Sequence, residues 1–340
     1  MIKYSIIVAV YNRIGEVQEL LSSAEQLDFD RQAFEILFVD DGSTDGFREM
    51  IKDYHSTSGL QVRAVYQTNQ GPGAARNHGM EVATSQYFIF LDSDCMVPPE
   101  WLGNIDRQIE ADHLDAFGGP DTFHPSFSPL LKAINYSMTS FLGTGGTRGS
   151  KKSIGKFYPR SFNMGLHRRV FEKIGGMNQL RHGQDMDFSA RIYDGGFKVG
   201  LIPDAFVYHK RRTSLWKFFK QIFNWGVARI NLGRLHPSLL KPVHFLPSLI
   251  IIGLVGLLIF SIGTGIWWIW MLVASGYVLV CVIAFVQSLI QYGEIKTALL
   301  SVITLNIQVF AYGFGLLSAA WQSLWHDEAK GFTKNYYGKK

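Results

Sequence analysis

Two carboxylates, Asp92 and Asp94, stand one residue apart directly after the apolar run "FIFL" at 88–91. Such a run reads as a buried strand, so the charges fall where the strand leaves the core. Further polar groups recur in the first 212 residues: Asp40 with Asp41 in "VDDGSTDG", Arg76 in "GPGAARN", Asp185 with Asp187 in "GQDMD", and His209 in "VYHK". Carboxylates do not hold phosphate directly, but they hold it through a hard cation. Mg²⁺ or Mn²⁺ takes oxygen ligands and bridges one or two carboxylates to a substrate diphosphate. Neutral imidazole is a compatible further ligand. A glycine-rich phosphate cradle is not indicated. "GPGAAR" has arginine where the dinucleotide fingerprint needs its third glycine, and no P-loop sequence occurs.

The elements that must position these groups alternate. "YSIIVAVYN" (4–12), "FEILFVDD" (34–41), "QVRAVYQ" (61–67) and "QYFIFLDSD" (86–94) read as strands ending in polar turns. Between them, 16–27 carries apolar residues at 17, 20, 21, 24 and 27, a helical period. Residues 44–55 read as a helix with Thr44 or Asp45 as N-cap, and 73–83 as another. Strand and helix in alternation predict an α/β fold with a parallel sheet and helical crossovers. Such sheets bind ligands at the carboxyl ends of their strands, where Asn12, Asp40, Asp41, Asn69, Asp92 and Asp94 fall.

Composition divides the chain. Hydrophobic residues make up 47%, yet residues 245–321 contain only two charged side chains, Glu294 and Lys296. Three apolar runs, near 245–263, 266–290 and 297–321, each approach the roughly 20 residues that cross a bilayer as a helix. Trp267, Trp268 and Trp270 crowd one end of the second run, while Trp321 and Trp325 flank the third, as membrane interfaces favour. Arg211, Arg212, Lys217, Lys220, Arg229, Arg234 and Lys241 precede the first run and predict a cytoplasmic N-terminal domain. Three crossings leave Lys330, Lys334, Lys339 and Lys340 on the far side, against the same rule, unless one run does not cross. The segment 214–235 reads as an amphipathic interfacial helix, with Trp216, Phe219, Phe223, Val227 and Ile230 on its apolar face.

The start "MIKYSIIVAVYN" lacks the features of a signal peptide. Cys95 and Cys281 lie in different regions, so a disulfide is not expected, in keeping with a reducing compartment. The net charge of +5 lies largely beside the apolar runs, which points to anionic lipid rather than nucleic acid as partner.

"VDDGSTDG" (39–46), "NQGPGAARNHG" (69–79), "LDSD" (91–94), "SFNMGLHRRVFEKIGGM" (161–177) and "GQDMDFSARI" (183–192) occur in that order. Together they resemble glycosyltransferase family 2, inverting sugar transferases of GT-A fold, over roughly residues 3–212. The membrane-linked tail resembles the subset that builds bacterial exopolysaccharides of succinoglycan type, at the inner membrane with the catalytic domain cytoplasmic. The resemblance implies four regions: a GT-A domain (1–212), an interfacial helix and linker (213–242), a transmembrane region (243–325) and a polar tail (326–340).

It also implies roles. Val10, Asn12, Asp40, Asp41, Arg76, Asp92, Ser93, Asp94 and Asn163 would bind the nucleotide-sugar donor. Asp40 and Asp41 would face base and ribose, though an Asx-turn shaping the loop is the structural alternative. Asp92 and Asp94 match the DxD motif, which with His209 would hold Mn²⁺ or Mg²⁺. Asp185 would be the base that takes the acceptor hydroxyl's proton. This chain has Gln184 where the family carries glutamate in that motif. Asp187 is expected to be structural or acceptor-binding. Asn163 and Met164 would wall the sugar and acceptor site. "GTGGTRG" (143–149) is a candidate flap, with Arg148 reaching phosphate, or a plain surface loop. "QIFNW" (221–225) has asparagine where processive synthases carry the arginine of QxxRW, which argues for one sugar per encounter. A lipid-linked or glycan acceptor is implied. The rivals are transfer directly to polyprenyl phosphate, a processive synthase, and a catalytically silent scaffold.

Overall fold

The computed structural model describes residues 2–145, 156–210 and 213–325. In chain order the elements are β1 (Tyr4–Val10), α1 (Ile14–Ala24), β2 (Phe34–Asp40), α2 (Phe47–Lys52), β3 (Val62–Tyr66), α3 (Pro72–Val82), β4 (Tyr87–Leu91), β5 (Cys95–Met96), α4 (Trp101–Asp112), β6 (Ala116–Gly118) and β7 (Asp121–Thr122). Then follow α5 (Pro129–Thr139), α6 (Phe141–Thr144), β8 (Asn163–His167), α7 (Arg168–Ile174), α8 (Gln184–Asp194), β9 (Val199–Leu201), β10 (Val207–His209), α9 (Leu215–Leu235), α10 (Leu246–Thr264), α11 (Trp268–Tyr292) and α12 (Ile295–Ser323).

These elements form two compact units. The first gathers the described residues through His124 and those from 156 to Lys210; the second gathers 125–145 and 213–325. The contiguous boundary at 212 is thus corrected: residues 125–145, including α5, cluster with the C-terminal helices. No period in the sequence separates α5 from the helices of the first unit, because its partners lie far along the chain, in α9, α11 and α12.

The first unit is built on a seven-stranded sheet in the order β3-β2-β1-β4-β8-β6-β9. The neighbours from β3 to β4 are parallel, and β8 runs antiparallel to both β4 and β6. Strand side chains alternate between two buried layers. Tyr4, Ile6, Val8, Phe34, Ile36 and Phe38 join one cluster with Val17 and Leu20 of α1 and Trp101 and Ile105 of α4. Ile7, Leu37, Val39, Phe88 and Phe90 face the other way, against Ala75 and Met80 of α3 and Phe188 and Ile192 of α8. Because both faces are covered, the strands are apolar throughout rather than alternating. A second sheet of three short strands, β5-β10-β7, extends the chain just beyond β4.

The start of α2 differs from expectation. Its N-cap is Gly46, at φ +85°, not Thr44 or Asp45. Both polar residues are committed elsewhere: Asp45 Oδ2 accepts from the Ile14 N–H at 2.9 Å, and Thr44 N–H donates to Asn12 Oδ1 at 2.7 Å. Glycine enters a left-handed turn at little steric cost, which lets those side chains tie the loop to β1.

In the second unit, α12 is the central helix. Backbones approach closely where glycines allow it: a Cβ on Gly226 would lie 2.2 Å from the Tyr312 carbonyl oxygen, and one on Gly315 would lie 2.0 Å from that of Phe223. The helix α9 is amphipathic, but its buried stripe is Phe218, Ile222, Gly226 and Leu232, and Trp216 is exposed. The stripe packed against neighbouring helices is set by small residues at 226 and 233 and is distinct from the aromatic face of Trp216, Phe219 and Phe223. The helices α10, α11 and α12 are each long and apolar enough to cross a membrane.

Candidate active site

The strand β4 is buried along its whole length and ends at Leu91. The chain then turns through Asp92, Ser93 and Asp94 into β5. Antiparallel pairing sets His209 of β10 opposite Cys95. Parallel pairing of β10 with β7 brings in Asp121, which lies opposite Val207. The result is a row of three groups: His209 Nε2 is 3.2 Å from Asp94 Oδ1, and His209 Nδ1 is 3.4 Å from Asp121 Oδ2. Burial by itself would push the imidazole down, but Asp94 and Asp121 on its two sides outweigh it and raise it to about 9. Between two carboxylates the ring thus favours its protonated form, and it would ligate a cation only after giving up the proton that faces Asp94. Phe162 lies against its face, ring centroids 5.1 Å apart.

Ligand atoms of Asp94, Cys95 and His209 lie within 4.8 Å of one another. Cys95 fits a hard cation poorly. Its thiol is buried, pushed well above the usual range by burial and then by Asp94, and points to the Phe162 carbonyl oxygen at 3.8 Å. Carboxylate and imidazole are the donors that suit Mg²⁺ or Mn²⁺ here, with Asp121 orienting the ring from its other nitrogen.

Asp92 is linked to a different element. Its Oδ1 accepts from Arg76 Nη2 at 2.6 Å. Arg76 is buried, and its Nε has no hydrogen-bond partner among the described residues. An unmatched guanidinium donor in so enclosed a place is costly unless a ligand satisfies it.

The first turns of α3 tie three motifs together. Gly71 and Gln70 donate backbone N–H groups to Asp41 Oδ2 and Oδ1, both at 2.8 Å. Arg76 reaches Asp92, as above. Gly73 lies so close to Gln184 at the start of α8 that a Cβ there would be 2.6 Å from its Nε2. This explains two small residues of "GPGAAR": Gly71 adopts φ +96° and Gly73 admits Gln184.

Asp185 occupies the first turn of α8, whose N-cap Gly183 has φ +81°. It is partly exposed, and Arg160 Nη1 lies 3.5 Å from its Oδ2. Nearby His182 is pushed down to about 4 by burial and by Arg181, so it is neutral at pH 7. Asp187 is buried, bonded to Asn178 Nδ2 at 3.0 Å and Arg191 Nε at 3.2 Å, and serves the fold.

Several expected contacts are corrected. Asn163 is fully enclosed: its Oδ1 accepts from Trp101 Nε1 at 3.2 Å and its Nδ2 donates to the Ala205 carbonyl at 2.7 Å. It braces the wall instead of facing into it, and Met164 is equally buried. Val10 has its side chain in the core and its carbonyl bonded to the Asp41 N–H, so it presents nothing to a ligand. Asp40 and Asp41 are 0% and 2% exposed. Asp40 accepts from the Ser43 N–H and Arg48 Nε; Asp41 accepts from Gln67, Gln70 and Gly71. Their carboxylates shape the loops rather than reach outward. Asn12, at φ +52°, likewise accepts from Thr44 through Oδ1, but it is exposed. Ser93 is buried beside the turn. Residues 146–149 of the flap, with Arg148, fall outside the described residues; Gly143 packs in α6 against the Ser137 carbonyl.

Residues 5–175 match the family model described as glycosyl transferase family 2. The chain belongs to that family. Among curated relatives, it is 27% identical over 252 residues to the glycosyltransferase AglE of Haloferax volcanii, covering 73% of this chain and 80% of that protein. It is 34% identical over 145 residues to the poly(ribitol-phosphate) β-N-acetylglucosaminyltransferase TarS of Staphylococcus aureus, covering 40% of this chain but 25% of TarS. The fold is similar to that of the mannosyltransferase PcManGT from Pyrobaculum calidifontis, solved with GDP-Man and Mn²⁺. That match has TM-score 0.65 and 16% identity, and covers 94% of this chain and 87% of that one. The first unit is thus a GT-A-like domain, and this family-2 chain is a glycosyltransferase.

Three residues of the site were not singled out from the sequence: Asp121, Arg160 and Phe162. Asp121 is a lone carboxylate in "GGPDTF", and only the pairing of β7 with β10 gives it meaning. Arg160 and Phe162 precede β8 with no spacing signal of their own.

Proposed function

We propose that this chain is an inverting transferase that moves a sugar from a nucleoside-diphosphate donor to a hydroxyl of an acceptor held at a membrane. The observation that carries this reading is the joining of Asp94, His209 and Asp121 at one strand end to Asp92, Arg76 and, through Gly73, to the helix that bears Asp185. Asp94 and His209, with Asp92 beside them, would hold Mn²⁺ or Mg²⁺. A divalent cation there would neutralise the diphosphate that departs. The unmatched Nε of Arg76 supports a diphosphate contact as well. PcManGT, solved with GDP-Man and Mn²⁺, supports the same pairing of donor and ion.

In the reaction, the acceptor oxygen attacks the anomeric carbon while its proton passes to the Asp185 carboxylate. The bond from that carbon to the diphosphate oxygen breaks, and nucleoside diphosphate leaves. Arg160 Nη1, 3.5 Å from its Oδ2, helps to position the Asp185 carboxylate. No protonated acid is required, because the leaving group is already stabilised as an anion.

Three long apolar helices support a membrane-carried acceptor, for which a polyprenyl-diphosphate-linked oligosaccharide on the cytoplasmic side of a bacterial inner membrane is our reading. Confining enzyme and lipid to one surface raises their effective concentration. The test is nucleotide release from UDP-, GDP- and dTDP-sugars with Mn²⁺ and lipid extract. Asp185→Asn should lower turnover by about 10²- to 10⁴-fold while donor binding persists. Unchanged turnover would remove Asp185 from the role of base, and no release with any donor would favour a scaffold.

A further inference from the structure

The three long apolar helices are not equivalent. Only 17% and 6% of the apolar stretches of α10 and α11 are buried, against 44% for α12. Gly253, Gly256, Gly263, Gly265 and Gly276 have open space wherever a Cβ would stand, so no neighbouring helix packs there. By contrast, a Cβ on Gly313 or Gly315 of α12 would strike backbone of Pro247 or Phe223.

The contacts of α12 with the other two helices lie in the C-terminal half of α11 and the N-terminal half of α10. Ser301 Oγ is 2.7 Å from Ser288 Oγ, Leu305 clusters with Ala284, and Gly313 meets Pro247 and Ile251 while its carbonyl accepts from Ser248 Oγ. At 1.5 Å per residue, Ala284 and Ser288 lie about 24 and 30 Å from Trp268, and Pro247 lies about 26 Å from Thr264. The α10–α11 tip, with exposed Trp267 and Trp268, therefore lies about 20 Å beyond the nearest of the α12 contacts, at Cys281 and Ile251, so most of a bilayer's hydrocarbon thickness of roughly 30 Å is spanned by these two helices alone.

What covers α12 is polar-edged. Its Thr304 bonds the Ala133 carbonyl of α5, and its Gln308 Nε2 bonds that of Gly143. Ala311 clusters with Phe218 and Ile222 of α9. The helix α9 carries Lys217, Lys220, Arg229 and Arg234, and α5 carries Lys132, bonded to Glu294 at 2.7 Å. Were α12 to cross the bilayer, these helices would be drawn into hydrocarbon with their charges.

We infer that only α10 and α11 cross the membrane, as a hairpin, and that α12 lies at the entry face, held between α5 and α9. The hairpin's partner is the hydrocarbon core itself. It has no charged residue between 246 and 293, and its tryptophans mark the far interface. An even number of crossings returns the chain to its starting side. The lysine-rich sequence after 325 then shares a side with Lys217, Lys220 and Lys241, and the conflict raised by three crossings is gone.

The inference rests on membrane anchoring, so the test separates the two. In a Cys281→Ser background of the full chain, Thr213→Cys, Ile266→Cys and Trp325→Cys are made singly; Cys95 is buried and silent. Whole cells are treated with a membrane-impermeant maleimide before and after permeabilisation. Thr213 and Trp325 positions should label alike and the Ile266 position oppositely. Labelling of the Trp325 position with that of Ile266 overturns the hairpin, as does identical labelling of all three. Release of the protein by alkaline carbonate would overturn the anchoring as well; retention with either wrong pattern overturns the hairpin alone.

Discussion

Two pairs of carboxylates end two strands of the same sheet, and they do different work. Asp40 and Asp41, at the end of β2, are almost wholly enclosed, and their oxygens are taken by Ser43, Arg48, Gln67, Gln70 and Gly71. Asp92 and Asp94, at the end of β4, keep 31% and 20% of their side chains exposed and face charged groups brought from α3 and β10. The first pair is satisfied mainly by backbone N–H and neutral side-chain groups of the adjoining loops, with Arg48 on Asp40; the second faces the charged side chains Arg76 and His209. A carboxylate enclosed by several N–H groups holds the fold. One that stays partly exposed beside a cationic side chain can exchange that partner for a ligand. The sequence position, after an apolar run, is the same for both.

The largest test of this contrast is Asp94→Ala. Donor binding measured by calorimetry should lose its dependence on Mn²⁺, falling by more than about a hundredfold, with the thermal transition little changed. Asp92→Ala should weaken it less. If the Asp94 variant bound donor normally, the two pairs would be alike and the turn merely structural. Asp121→Asn should reduce metal affinity by about 10- to 100-fold, because the group that orients the ring of His209 loses its negative charge and becomes a weaker acceptor. That places Asp121 with the second pair; an unaltered ion titration would move it to the first.

The complementary change is Asp41→Ala. Loss of an acceptor for two buried backbone N–H groups should cost about 1–3 kcal/mol, read as a lower denaturant midpoint. Donor affinity should fall only as far as the loop at 67–71 loosens. A stable Asp41 variant that failed to bind donor would reverse the assignment.

The smallest effect concerns a third satisfied carboxylate. Burial favours the neutral form of Glu25, but hydrogen bonds from Ser58, Tyr54 and Ser56 outweigh it and lower it to about 2. Its contribution to stability is complete above its ordinary value of 4.5 and is lost as pH falls through about 2. Glu25→Gln should therefore lower the neutral-pH midpoint slightly and flatten acid unfolding between those values, the two proteins converging towards pH 2. An unaltered acid limb would show that this cradle holds the neutral acid as well as the charged form.

Much of this was legible in the chain. Strands covered on both faces announce themselves as short apolar runs, so β1, β2 and β4 stood out, and the polar ends of those runs marked the site. The three apolar helices were equally plain, because hydrocarbon demands length and lack of charge. Misreadings came where burial reverses a polar residue's meaning. Asn163 was expected to face the site from the resemblance of "SFNMGLHRR"; it is enclosed because Trp101 and the Ala205 carbonyl satisfy both ends of its amide. The seam that α9 makes with α12 was not legible, because small residues rather than large apolar ones govern close helix contact.

Local order along the chain determined which elements form and which residues end them, since periodicity and turn chemistry act over a few residues. Family membership was legible there too, in five ordered motifs. Only the tertiary structure decided which carboxylates are spent on the fold and which are shared, that Asp121 stands behind His209, and that α5 belongs with helices near residue 300. Each of those depends on partners tens to hundreds of residues apart, and no local pattern carries the identity of a distant hydrogen-bond donor.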